Sequence, residues 1–171
     1  MEVSPTLGSP AREVRGSTGA VDWLVLGLGV VGALALVLAE FSLTFQVDTL
    51  TSGTCQELAD AAVRDRCRAT GLEQHSGALI LLGLFAAAMA VGAGRRASRP
   101  AAVALIAMAA VAFGIAVFID LPKTRADGLL EPFYESGEAR PGAGFYLEWV
   151  GAGLCLCAGA LRLLRPRSGV T

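Results

Sequence analysis

Apolar positions in this chain neither alternate nor keep to one helical stripe; they run on for most of the length of four long segments. Crossing about 30 Å of hydrocarbon takes about 20 helical residues. The first run extends from Trp23 to Ala39 and continues past Glu40 through Phe41–Phe45. The second covers Ser76–Gly94 and the third Ala101–Ile119. The fourth, Gly142–Leu161, reaches full length only by including Glu148. The pattern predicts an all-α protein: a four-helix transmembrane bundle, up-down-up-down, with spans at about 22–45, 75–94, 100–119 and 142–163. Residues 1–20 hold Ser4, Pro5, Gly8, Ser9, Pro10, Gly16, Ser17 and Gly19 without an apolar period, which predicts a disordered tail ahead of a 21–165 membrane domain. Residues 166–171 form a second, short tail. The first run is longer than a signal-peptide core and follows Asp22 directly, which argues for a span, although Ala33-Leu34-Ala35 could mimic a cleavage site.

Composition supports lipid as the main solvent. Hydrophobic residues make up 54%, charged residues 17%, and mean hydropathy is +0.58, whereas a soluble domain carries about 25% charge. A net charge of −1 argues against a nucleic-acid partner, which needs clustered basic charge. A single His and no Cys/His cluster give no sequence signal for zinc. Gly27-Leu28-Gly29-Val30-Val31-Gly32 matches a dinucleotide-binding pattern, but it lies inside a span rather than between a strand and a helix. No nucleophile elbow or phosphate loop is present. The sequence therefore predicts no catalytic residues, no cofactor and no metal site, and a protein that is not an enzyme. Thirteen Arg against one Lys, with no Asn, points to a GC-rich bacterial genome.

Charge also orients the spans. The connection after span two holds Arg95, Arg96 and Arg99 without an acid, and the tail after span four holds Arg162, Arg165 and Arg167. By the positive-inside rule both termini and the middle loop lie in the cytoplasm of a multi-pass cell-membrane protein. Loop one (about 46–74) and loop three (about 120–141) then lie outside.

Within lipid, helices associate through small residues that let backbones approach. Ala86, Ala90 and Gly94 make one such stripe and Gly151, Cys155 and Gly159 another, with shorter ones at Gly29/Ala33 and Ala112/Ala116. They predict packing within one chain, with a homodimer as the alternative.

Loop one carries a capping-box pattern, Thr54 with Glu57, followed by a helical face through Cys55, Leu58, Ala59, Ala62, Val63 and Cys67, with Gly71 as a stop. An oxidising exterior favours a Cys55–Cys67 disulfide. A continuous helix would hold those residues about 18 Å apart, too far for a bond, so pairing requires the helix to break near Arg64. Leu129, Leu130, Phe133 and Tyr134 in loop three predict a helical turn on the membrane surface or capping the bundle. Tyr146 and Trp149 suit an outer aromatic belt.

The most informative side chains are titratable. Glu148 lies about one and a half turns inside span four, Glu40 lies near the outer end of span one, His75 begins span two and Asp120 ends span three. Intramembrane ionisable groups usually face a partner or a wet cavity, so Glu40, His75, Asp120 and Glu148 form a candidate titrating cluster. In the alternative reading, His75 and Asp120 mark the lipid–water boundary while Glu40 and Glu148 bond to backbone N–H or Arg. The inner halves of the spans lack charge and proline, which argues against a transporter. Cys155 and Cys157 suggest a quinone-linked thiol oxidase, but residues two apart on a helix point about 200° away from each other, so packing explains them better.

The architecture, with a cysteine pair in the first outer loop, resembles the claudin-like four-span proteins of animals, without their Trp-x-x-Trp. Asp120-Leu121-Pro122 and Pro141-Gly142-Ala143-Gly144-Phe145-Tyr146-Leu147-Glu148 resemble small four-span integral membrane proteins of GC-rich bacteria. That resemblance implies a fold and no particular activity. The expected role is a non-enzymatic interaction partner or accessory subunit in the cell envelope. The alternative is a small ion- or proton-responsive channel or sensor built on the outer acidic cluster. An intramembrane enzyme is a third reading.

Overall fold

In this protein the small side chains face inward and many of the large apolar ones face outward. The computed structural model describes residues 15–49, 68–124 and 137–165. Its core is mostly alanine, including Ala86, Ala90, Ala102, Ala109 and Ala152, with Val25, Leu36 and Leu105 filling the wider gaps. Leu34, Leu84, Phe85, Val111, Phe118 and Val150 project outward. In water this arrangement would waste apolar area, but in lipid it is expected, because tails solvate Leu and Phe while close packing needs small residues.

The chain order is α1 (Arg15–Phe41), β1 (Leu43–Thr49), β2 (Arg68–Thr70), α2 (Gly71–His75), α3 (Ala78–Arg95), α4 (Arg99–Thr124), β3 (Gly137–Pro141) and α5 (Ala143–Leu164). The helices α1, α3, α4 and α5 are each long and apolar enough to cross a membrane, which fits a multi-pass integral membrane protein. α1 packs against α3 and α5, and α4 packs against the same two. The small-residue stripes lie on these seams. A methyl group on Gly151 would come within 2.8 Å of the Gly32 carbonyl oxygen, so the α1 and α5 backbones are nearly in contact. Cys155, one turn on, sets its thiol 3.8 Å from the Gly29 carbonyl oxygen. Ala86, Ala90 and Gly94 are buried on α3, as are Ala112 and Ala116 on α4.

Among the described residues, three short strands add a feature that an all-α reading lacks. They form an antiparallel sheet in the order β2-β1-β3. Phe45 pairs with Pro141 and Gln46 with Arg140 on one side; Phe45 pairs with Ala69 and Gln46 with Arg68 on the other. Span one therefore ends at Phe41, not Phe45. Ser42 closes the helix, its N–H donating to Ala39 and its hydroxyl to Leu38. Beyond it Leu43-Thr44-Phe45-Gln46-Val47-Asp48 alternates apolar and polar residues, the period of a strand. Span three differs the other way and continues to Thr124. α1 already begins at Arg15. All three strands adjoin the same end of the helices, here called the sheet end.

Candidate functional site

The site is assembled where α1, α2, α4 and α5 meet beneath the sheet, and each element delivers its residue for a local reason. Glu40, fully buried at the end of α1, reaches the start of α3. That helix opens on Gly77, a left-handed residue (φ 91°) with no side chain to cap the first turn. Glu40 supplies the cap from another helix. Its Oε1 accepts the Gly77 N–H at 2.6 Å and its Oε2 accepts the Leu79 N–H at 3.3 Å. A carboxylate there satisfies orphan donors and matches the positive end of the helix dipole. The fit is close: a methyl on Gly71 would stand 2.7 Å from the Glu40 Cα.

His75 comes from α2, whose single turn is fixed at both ends. Thr70 and Glu73 form the capping box that starts it, so Gly71 opens a helix rather than stopping one. Ser76 ends it in the left-handed region (φ 53°), with its N–H donating to Leu72. Gln74 and His75 then meet α4: the Gln74 amide donates to Asp120 Oδ1, and His75 Nε2 lies 3.3 Å from Asp120 Oδ2.

Asp120 owes its placement to a wide turn. Residues Ala116–Asp120 are π-helical, and the Leu121 N–H donates back five residues to Ala116. Pro122 follows; it has no N–H, and its ring crowds the carbonyl four residues earlier. Opening the turn relieves that crowding. Such wide turns recur at functional sites because they re-aim a side chain out of helical register.

Glu148, sixth residue of α5, completes the group from the opposite helix. One ligand-type atom each from His75, Asp120 and Glu148 lies within 4.8 Å of the other two. The His75 side chain is 3% exposed, Asp120 is fully buried and Glu148 is 1% exposed. His75 Nε2, Asp120 Oδ2 and Glu148 Oε1 have no hydrogen-bond partner; the 3.3 Å approach of the first two is a charge contact rather than a well-aligned bond. An aromatic group stands on the α4–α5 seam, with Phe113 and Trp149 edge to face at 5.3 Å and Phe145 6.0 Å from Trp149. Three buried polar atoms without a hydrogen bond, two of them in charge contact with each other, form an arrangement suited to receiving a cation.

Of the four residues singled out in the sequence, the structure therefore brings His75, Asp120 and Glu148 to one point and sets Glu40 beside them as a helix cap. Gln74 was not singled out; it is legible only once α2 is known to turn toward α4. The opposite end holds a second polar group. Asp22 of α1 accepts from Arg162 and Arg165 at 3.0 Å each, and Arg162 also donates to the Ala97 carbonyl at 2.9 Å. In the sequence the arginines carry a topology signal and Asp22 is simply the residue ahead of a span. Cys55, Cys67, Thr54, Glu57 and the Leu129–Tyr134 patch lie outside the described residues. Cys155 is buried and Cys157 is exposed, both as thiols. Comparison with known protein families, with curated proteins and with solved structures finds no match to this chain.

Proposed function

We propose that this is a non-enzymatic multi-pass protein of the cell membrane that responds to an ion at its outer end and passes the response to a partner. In this reading its helices form an up-down-up-down bundle with both termini in the cytoplasm and the sheet outside. The observation that carries it is the convergence of His75, Asp120 and Glu148 in a buried position where one polar atom of each lacks a hydrogen bond. A cluster serving only the fold would be expected to have its buried polar atoms paired, as Glu40 has.

The connections to the sheet support a sensor rather than an inert anchor. β1 begins three residues after Glu40, β2 ends five residues before His75, and β3 ends seven residues before Glu148. A change in how these groups are held acts on every strand, and so on the two long loops that would meet an envelope partner. An accessory-subunit role and ion response are then two aspects of one function.

Hydrogen exchange on the full chain in detergent tests this. At least one of Ca²⁺, Mg²⁺, Mn²⁺ or Zn²⁺ is expected to slow exchange in residues 43–49, 68–70 and 137–141, and Glu148→Gln to remove the effect. Exchange that is indifferent to every cation would overturn the reading.

A further inference from the structure

We infer that His75, Asp120 and Glu148 form a binding site for a divalent first-row transition-metal ion of the zinc type. The inference deepens the ion-responsive reading and rests on it. The donor set is one imidazole nitrogen and two carboxylate oxygens, drawn from α2, α4 and α5. Calcium takes about 6–8 oxygen ligands, and magnesium prefers an octahedron of oxygens with several waters. Neither uses an imidazole well, whereas zinc and its neighbours do. Around a tetrahedral ion, donors at about 2.0–2.1 Å stand about 3.3 Å from one another. His75 Nε2 and Asp120 Oδ2 are 3.3 Å apart. The widest separation in the group is within 4.8 Å, about 1.5 Å more than that spacing.

Charge points the same way. Two buried carboxylates share the spot with a single imidazole, which can carry only one positive charge. Glu40 adds a third carboxylate nearby, but its two oxygens are committed to the Gly77 and Leu79 N–H groups. It therefore tunes the field rather than ligating. A divalent ion balances the ligands and at once coordinates the three atoms that lack a hydrogen bond. The rest of the construction is what a metal ligand needs. The Gln74 amide holds Asp120 through the oxygen that does not face His75, the outer-shell orientation that metal-binding carboxylates use. Three protein ligands leave one tetrahedral position, for water or a group from a partner.

The test is Co²⁺ and Zn²⁺ binding to the untagged full chain in detergent, read by cobalt d–d absorption and by bound metal after gel filtration. One ion per chain is expected, displaced by Zn²⁺ and not by a hundredfold excess of Ca²⁺ or Mg²⁺. Asp120→Asn and Glu148→Gln, both uncharged and near-isosteric, should abolish saturable binding while circular dichroism stays helical; Gln74→Ala should weaken it about 10–100-fold. A Cys55→Ser/Cys67→Ser chain should bind like the parent. The inference is overturned by absence of a stoichiometric site, by binding that survives Asp120→Asn, or by binding lost with the cysteines. A site that takes only Ca²⁺ also overturns it, and in that case the ion-responsive reading stands.

Discussion

Two glutamates at the sheet end are buried to the same degree and are stabilised by different means. Glu40 is surrounded by donors: two backbone N–H groups at the start of α3 take both of its oxygens. Glu148 has one oxygen without a hydrogen bond, and its carboxylate sits beside the carboxylate of Asp120 and the imidazole of His75. The sequence places both residues correctly near one end of their spans, since depth follows from counting residues at 1.5 Å each. It cannot separate their roles, because the donors that satisfy Glu40 belong to a helix start 37 positions away, opened by two left-handed residues. The difference is measurable. Glu40→Ala orphans two N–H groups, at about 1–3 kcal/mol each, and should lower the midpoint of thermal unfolding in detergent whether or not metal is added. Glu148→Gln keeps the size and polarity of a buried side chain that caps no helix, and should leave the metal-free protein as stable or more so.

At the scale of the element, α4 shows how one residue can redirect a site. A regular helix through Asp120 would turn each later position by about 100° per residue, and the wide turn at Ala116–Asp120 breaks that register. Pro122 supplies the cause, so Pro122→Ala should let the turn tighten to α-helical geometry. Asp120 would then swing away from His75. The expected result is cobalt affinity at least tenfold weaker than in the parent chain, with helical circular dichroism undiminished; unchanged affinity would show that the turn does not depend on the proline. The Asp120-Leu121-Pro122 triplet was visible in the sequence, but a π turn has no composition of its own and leaves only the proline as a trace. The sheet left more. Leu43–Asp48 alternates strictly, yet the segment adjoins a long apolar run and its first residues read as the tail of span one. β2 is three residues long, too short for a period. Thr70-Gly71-Leu72-Glu73 carried a capping signature, but glycine after a supposed helix suggests a stop more strongly than a start.

Over the whole molecule, the four helices long and apolar enough to cross a membrane were legible because they depend on composition, which no tertiary detail overrides. The seams between helices were legible too, since only small residues allow such approach. Gly151 and Gly32 face each other on the α1–α5 seam, each with the other's carbonyl oxygen 2.8 Å from where a side chain would begin. Gly151→Leu should therefore push α1 and α5 apart and lower stability by several kcal/mol, beyond the usual 1–3 kcal/mol of overpacking, because the obstacle is backbone. Leu156→Ala, on an exposed face of the same helix, is the control and should change little.

Orientation is set by different physics, the bias of arginine toward the cytoplasm. It assigns the Arg95–Arg99 connection and the α5 terminus to the same side, and the structure gathers Asp22, Arg162 and Ala97 at that end. Asp22 neutralises part of the α5 arginine charge through its contacts with Arg162 and Arg165. Acids weigh little in the bias, however, and no such carboxylate is paired with Arg95, Arg96 and Arg99 in the described contacts. These three should then carry most of the topological signal. A fluorescent reporter fused after Ala97 is expected to fold in the cytoplasm, and alkaline phosphatase fused after Ser136 to be active outside. Replacing Arg95, Arg96 and Arg99 together by Ala should give mixed orientation, whereas Asp22→Ala should not. Alkaline phosphatase activity after Ala97 in the parent chain would invert the molecule, leaving the His75–Asp120–Glu148 group facing the cytoplasm and sampling the ions of that compartment instead.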